Sequence, residues 1–246
     1  MYWNTADEIM EKNPDLAIIP VGSLEQHGPH LPVMTDWAIA TEIGKRVQKR
    51  TGGFLLPALP ISTCREQMGK KGSVWMEPPT FYAMMNDIIL SLKLQGFHKV
   101  MILQCHGGIF IMTHVVRDLN AKYNPELMVF NFDPFSVWNQ LYQEGILGDN
   151  TELHAGEGET SMMLTIAPQN VHMDKAVDFV PDVPRSYLSY GCLLRFCPDG
   201  VWGKATLGTG EKGERMLDRT AELAVDQMEQ VFAFMANKKP LHYSNF

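Results

Sequence analysis

Three short, glycine-bounded segments hold most of the chain's metal-binding side chains. The first runs Gly22-Ser23-Leu24-Glu25-Gln26-His27-Gly28-Pro29-His30-Leu31-Pro32, with Asp36 just beyond it. The second is Cys105-His106-Gly107-Gly108, and the third is His154-Ala155-Gly156-Glu157-Gly158-Glu159-Thr160-Ser161. Carboxylates and imidazoles without a nearby thiolate pair suit one or two hard-to-borderline divalent cations and a hydrolytic reaction. Glu25 and His27, two residues apart on an extended segment, share a face. A buried carboxylate needs a counter-charge, so this pair favours a cation over an isolated structural histidine. Asp36 opens a predicted helix and could be a cap or first-turn carboxylate; Thr35 is an equally good cap, which frees Asp36. His106 ends an apolar run, and the glycines after it permit a close backbone approach or a positive φ; a plain strand-to-helix turn explains them as well. His154 and Glu159 flank a small-residue turn. Glu157 and Glu159 could each simply complement a helix N-terminus, and Thr160-Ser161 could cap that helix.

These segments need elements to bring them together. Leu16 to Val21 reads as a buried strand ending at Gly22, and Lys99 to Cys105 reads as a central strand ending at His106. Helical spacing marks Asp36 to Arg50, Pro79 to Leu94 with Thr80 as a cap and Gly96 as a stop, and a helix running from the glycine pair to Tyr123. Phe54 to Ile61 is extended and broken by prolines, and Leu127 to Phe132 is another strand. The irregular stretch Phe135 to Leu153 is long enough to cover a cleft. Helices then span Glu159 to Ile166 and Gly213 to Met235. This alternation, without a break in composition, predicts one α/β domain over residues 1–246 with a mostly parallel sheet. Sites in such folds lie beyond the carboxyl ends of the strands, which puts the three segments on one rim.

Bulk properties narrow the partners. A net charge of −7 over 246 residues offers no basic footprint for nucleic acid or an anionic membrane. No apolar run approaches the roughly 20 residues that would span a bilayer. The N-terminus lacks the pattern of a signal peptide, and four dispersed cysteines form neither a disulfide framework nor a zinc ribbon. A cytoplasmic protein with reduced thiols and a small-molecule substrate is the expectation. Gly208 to Gly213 matches G-x-G-x-x-G, yet no strand precedes it, so it reads as a loop entering the last helix. His98, His114, His172 and His242 stand apart from the clusters, while His30 could support the site. In the segment Cys64 to Gly72, Arg65, Lys70 and Lys71 could read a substrate or simply lie on an exposed loop.

At these residues the chain resembles the creatininase family of metal-dependent amidohydrolases. The likeness rests on G-S-x-E-Q-H-G-P-H-L-P followed by T-D (22–36), H-G-G (106–108), H-A-G-E-x-E-T-S (154–161) and the late G-V-W-G…T-x-x-E-K-G (200–213). It implies a three-layer α/β/α fold, usually hexameric, holding two divalent ions, with zinc first and manganese or iron as alternatives. It also implies Glu25, His27, Asp36 and His106 as ligands, with Asp36 bridging, and His154 as the catalytic histidine. Creatinine-hydrolysing members read H-x-E and draw a further ligand from the last position, which is Gly108 here; the resemblance then makes Glu159 the fifth ligand. Those members also carry a tryptophan just upstream of H-A-G, where this chain has Asn150 and Glu152 and its nearest is Trp138. These departures point away from creatinine. The implied reaction is attack by metal-activated hydroxide on a carbonyl of a small cyclic amide or formamide. Ring-opening C–C hydrolysis of a cyclic keto-polyol of the dehydro-inosose type, or a silent metal-binding subunit, are the alternatives.

Overall fold

The computed structural model describes residues 1–237; His242, and the end of the unit expected over 1–246, lie outside the described residues. Four parallel strands form the central sheet in the order β2 (Phe54–Leu55), β1 (Leu16–Val21), β3 (Lys99–Gln104), β4 (Met128–Phe132). Strands β1 and β3 pair in register from Leu16 against Lys99 to Val21 against Gln104, so both end at the same level. Because side chains alternate across a strand, each strand feeds two cores. Ile18, Met101, Leu103 and Phe130 face one, whereas Ala17, Ile19, Val100, Ile102 and Val129 face the other.

The first core is closed by α2 (Thr35–Thr51), α6 (Glu157–Ile166) and α7 (Gly210–Ala236), through Ile39, Ile43, Met162, Met216, Leu217 and Ala221. The second is closed by α3 (Pro78–Leu94) and α4 (Met112–Tyr123), through Phe81, Met85, Ile89, Met112 and Val115. This is the expected α/β/α layering with a parallel sheet. Short helices α1 (Ala6–Lys12) and α5 (Trp138–Gln143) and a two-stranded antiparallel ribbon, β5 (Asp178–Phe179) with β6 (Gly203–Lys204), complete the described elements.

Several local expectations change on contact with tertiary structure. The extended segment from Phe54 keeps only two strand residues and a single bridge from Leu59 to Val21; Pro57 and Pro60 cannot donate to the ladder. Thr35 and Thr80 lie inside their helices, which start from Met34 and Glu77 without side-chain caps; Thr35 Oγ1 donates to the Pro32 carbonyl instead. The helix after the glycine pair starts at Met112, because residues 107–111 turn before it begins. Thr160 and Ser161 also lie within α6, whose N-terminal amides are served from elsewhere. Gly208 to Gly213 does enter the last helix, with Thr209 as its side-chain cap.

Helices α6 and α7 pack at backbone contact. A Cβ on Gly213 would stand 1.9 Å from the Ser161 carbonyl oxygen. Gly213→Ala is therefore expected to push the helices apart and destabilise the protein by about 1–3 kcal/mol, read as a lower thermal midpoint. Because α6 carries Glu159, ion retention should weaken in the same variant.

Candidate metal centre

Each sequence segment delivers its side chains to the C-terminal rim of the sheet. Glu25 and His27 follow β1, and His106 follows β3. Asp36 lies in the first turn of α2, which sits close to the end of β1 because residue 22 is glycine; a Cβ there would stand 2.5 Å from the Trp37 backbone nitrogen. Glu159 projects from the first turn of α6. His154 is held in an antiparallel bridge to Trp202, whose amide donates to the His154 carbonyl over 2.8 Å. Ala155, next to it, takes a left-handed φ of 53°, a conformation uncommon outside glycine and asparagine that marks a constrained turn.

All six side chains converge and are nearly inaccessible. His106 Nδ1 lies 3.1 Å from Glu25 Oε2 and 3.2 Å from Asp36 Oδ2. His27 Nε2 lies 3.0 Å from Asp36 Oδ1 and 3.7 Å from Glu159 Oε2, and His154 Nδ1 is 3.7 Å from Glu25 Oε1. Three ligand-like triplets overlap here: Glu25 with Asp36 and His106, His27 with Asp36 and Glu159, and Glu25 with His27 and His154. Asp36 belongs to the first two, one oxygen toward each histidine.

The charge balance asks for cations. Among the described residues, neither oxygen of fully buried Glu25 accepts a well-aligned hydrogen bond, and burial holds its carboxyl above the ordinary range. Burial alone would drive protons off His27 and His106, but the carboxylates around them overcome it and raise both pKa values well above the usual imidazole range. Burial likewise works against ionised Asp36, yet the two histidines pull its pKa far down. Two protonated imidazoles thus balance the carboxylates, in positions where cations bound by neutral imidazoles would serve better. Oxygen and nitrogen donors alone, with two orphaned carboxylate oxygens, fit divalent ions.

Each histidine is oriented by an acceptor behind it. His27 Nδ1 donates to the Glu25 carbonyl at 3.2 Å, His154 Nε2 to the Gln26 carbonyl at 2.7 Å, and His106 Nε2 to Glu66 Oε1 at 2.8 Å. Those bonds leave the inward nitrogens facing the carboxylates. His154 differs electrostatically, because burial and the neighbouring His27 lower its pKa to about 4, so its ring is neutral with a free Nδ1 lone pair.

Some roles were not legible beforehand. Glu152 accepts from the amides of Gly156, Gly158 and Glu159 at the start of α6, and burial beside Glu159 raises its pKa to about 8. Glu157 turns away from the cluster, accepting from the Gly148 and Asp149 amides and from Lys212. His30 packs against Thr160, with Nε2 2.9 Å from Oγ1. A cavity of about 490 Å³ opens over the cluster, walled by Phe110, Phe135, Leu153, Leu188 and Leu193 and edged by Glu66, Gln67, Asp133 and Arg185. The basic residues singled out between 64 and 72 are engaged elsewhere: Arg65 pairs with Glu77, and Lys70 donates to the Asp199 carbonyl at 2.7 Å, while Lys71 is exposed. Trp138 packs against Phe135 in a tilted arrangement, ring centroids 4.7 Å apart, outside the cavity lining. Among the described residues, no helix is long and apolar enough to cross a membrane.

Comparison with known proteins gives a consistent setting for this geometry. A family profile described as creatininase, creatinine amidohydrolase, matches residues 1–228. Creatinine amidohydrolase of Pseudomonas putida is 27% identical over 94% of the chain and 95% of its own length. The 3-dehydro-scyllo-inosose hydrolase of Thermotoga maritima is 29% identical, covering 93% of the chain and 82% of its own length. A solved creatinine amidohydrolase superposes with a TM-score of 0.78 at 26% identity, covering 94% of this chain and 97% of that one. Solved creatininases described as a zinc–zinc type mutant and a manganese form each align with a TM-score of 0.76 at 26% and 25% identity, covering 94% of this chain and 97% and 98% of theirs.

Proposed function

The chain belongs to the creatininase family, and from that membership we propose that it is a metal-dependent amidohydrolase of a small molecule. The observation that carries this reading is the buried Glu25 carboxylate, both oxygens without hydrogen-bond partners, set among His106, His154 and Asp36. In this proposal Glu25, Asp36 and His106 would hold one divalent ion and His27, Asp36 and Glu159 a second, with Asp36 common to both groups. Zinc and manganese suit the donor set and occur in the solved relatives; iron is a third candidate. Such ions would supply Lewis-acid polarisation of a carbonyl and a nucleophilic water at neutral pH.

The remaining work falls to the chain's own side chains. The lone pair on His154 Nδ1 accepts a proton and returns it to the leaving nitrogen, while the Gln26 carbonyl keeps the Nε2–H tautomer fixed. The cavity's apolar walls exclude water from the reacting carbonyl. A cyclic amide or a formamide is the substrate class, and the Thermotoga relative supports including a cyclic keto-polyol. A cytoplasmic homohexamer is part of this reading, and light scattering tests the assembly.

Protein reconstituted with zinc or manganese should hydrolyse at least one member of a panel of lactams, formamides and cyclic diketones, and lose that activity on chelation. A protein that takes up no divalent ion refutes the metal centre. One that takes up ions and turns over no member of the panel is a silent binding subunit.

Arg185 offers a sharper substrate test. At the cavity edge it makes no hydrogen bond or ion pair among the described residues, although Asp133 lies close enough to attract it. A charge-assisted contact is worth about 1.5–3 kcal/mol, so Arg185→Ala should raise KM for a carboxylate- or phosphate-bearing substrate by about 10- to 100-fold. Neutral substrates should be unaffected. An equal loss for both classes would remove Arg185 from substrate recognition.

A further inference from the structure

Of the three histidines in the cluster, two are oriented by backbone carbonyls that the fold fixes, those of Glu25 and Gln26. His106 is the exception. Its outer nitrogen donates to a side chain, Glu66, which arrives from a short turn 40 residues earlier in the chain. Among the described residues Glu66 has no ion-pair partner besides His106, and its carboxylate edges the cavity with about a quarter of the side chain exposed.

The space that Glu66 occupies is available only because residue 108 is glycine. A Cβ there would stand 2.1 Å from Glu66 Oε1, 2.5 Å from His106 Nε2 and 2.7 Å from the Glu66 carboxyl carbon. Gly108 does not have a positive φ, so the backbone itself would accept alanine. The glycine therefore makes room for the carboxylate and the imidazole at the atoms where they meet. The Thr63 hydroxyl, three residues before Glu66, donates to the Gly108 carbonyl at 3.2 Å and ties the two segments together.

Resting on the reading of His106 as an ion-facing side chain, we infer that Glu66 is the positioning residue of the metal centre. It fixes the Nε2–H tautomer of His106, presents Nδ1 to the ion shared with Glu25 and Asp36, and depends on Gly108 for room. A carboxylate behind a ligating imidazole orients the ring and strengthens its donor nitrogen more than a neutral carbonyl would. The charge and position of this one loop side chain thus set the affinity of one ion site and not the other.

Zinc alone is the probe, titrated against a competing chelator with ion-free full-length protein. Wild type should bind two equivalents. Glu66→Ala should weaken one of them by about 10- to 100-fold and leave the second within a few-fold, and His106→Ala should abolish that same equivalent. Glu66→Gln keeps an acceptor oxygen without the charge and should recover part of the loss. Gly108→Ala should weaken the same equivalent, and the loss should persist in the Glu66→Ala background, because the added methyl would still stand 2.5 Å from His106 Nε2. Thermal melts of the ion-free proteins separate these effects from misfolding, and Glu66→Gln, nearly isosteric, carries the test should the alanine variant unfold. Wild-type protein without affinity for zinc would defeat the metal centre itself. Two wild-type equivalents that both survive Glu66→Ala and Glu66→Gln, or that weaken equally, would overturn the role of Glu66 alone.

Discussion

Asp36→Asn should yield a folded protein that cannot keep the proposed pair of divalent ions and has no measurable turnover. The two oxygens of Asp36 face opposite ways, Oδ1 toward His27 and Oδ2 toward His106, and each belongs to a different ligand-like triplet. Asparagine preserves the volume, and its oxygen can still accept from Ser23 Oγ, which donates to Asp36 Oδ2 at 2.8 Å. It supplies neither the negative charge nor a second oxygen. Removing only a supporting contact of a metal ligand typically costs about 10- to 100-fold in affinity, so loss of a shared ligand should exceed about 100-fold. Ion-derived stabilisation of several kcal/mol, at 1.36 kcal/mol per tenfold, translates to a rate loss on the order of 10³-fold or more. Elemental analysis after dialysis and a turnover assay provide the two readings. A variant that remains fully active after chelation and dialysis would end the bridging role.

The ion-free state has its own consequence in this variant. Asp36 is the carboxylate that contacts both protonated imidazoles, so its removal weakens the hold on the protons of His27 and His106. Both histidines have folded-state pKa values above their unfolded values. Their contribution to stability is therefore present below the unfolded imidazole pKa and fades as pH rises through the raised folded values. Asp36→Asn should accordingly destabilise ion-free protein most below the ordinary imidazole pKa and above the ordinary carboxylate pKa, where those imidazoles are charged and Asp36 is ionised.

The distribution of information along the sequence explains what could be read in advance. Glu25, His27, Asp36, His106, His154 and Glu159 lie in short motifs at the ends of regular elements, where strand polarity alone puts them on one rim. The strand limits of Leu16 to Val21 followed directly from an unbroken apolar run. Glu66 was hidden by its neighbours, since Arg65, Lys70 and Lys71 dominate that stretch and its meeting with His106 depends on a contact across 40 residues. Glu152 drew notice only as standing where creatinine-hydrolysing relatives carry a tryptophan, yet it is 7% exposed and serves three α6 amides. Arg185 lies in a short 3-10 segment, Arg185–Tyr190, without periodicity to reveal that it edges a cavity. Threonines 35, 80 and 160 misled for a related reason. Propensity favours them as caps, but the position of each helix start was decided by packing.

His154→Ala, by contrast, should retain both ions and lose turnover by about 10²- to 10⁴-fold, the usual span for a positioned acid–base group. His154 is the one imidazole of the cluster whose pKa is lowered, to about 4, by burial and by His27 beside it. Its ring is thus neutral at physiological pH, with Nε2–H committed to the Gln26 carbonyl and the Nδ1 lone pair turned toward Glu25. A neutral base with a fixed tautomer can take a proton during attack and surrender it to a departing nitrogen, whereas His27 and His106 would have their inward nitrogens occupied by ions. Glu25, His27 and His154 nonetheless form the third ligand-like triplet, so the ion count discriminates between the roles. Two equivalents retained with turnover lost assign His154 to proton transfer. Loss of an equivalent in parallel with turnover would make it a ligand, and proton transfer would then have to come from another group lining the cavity.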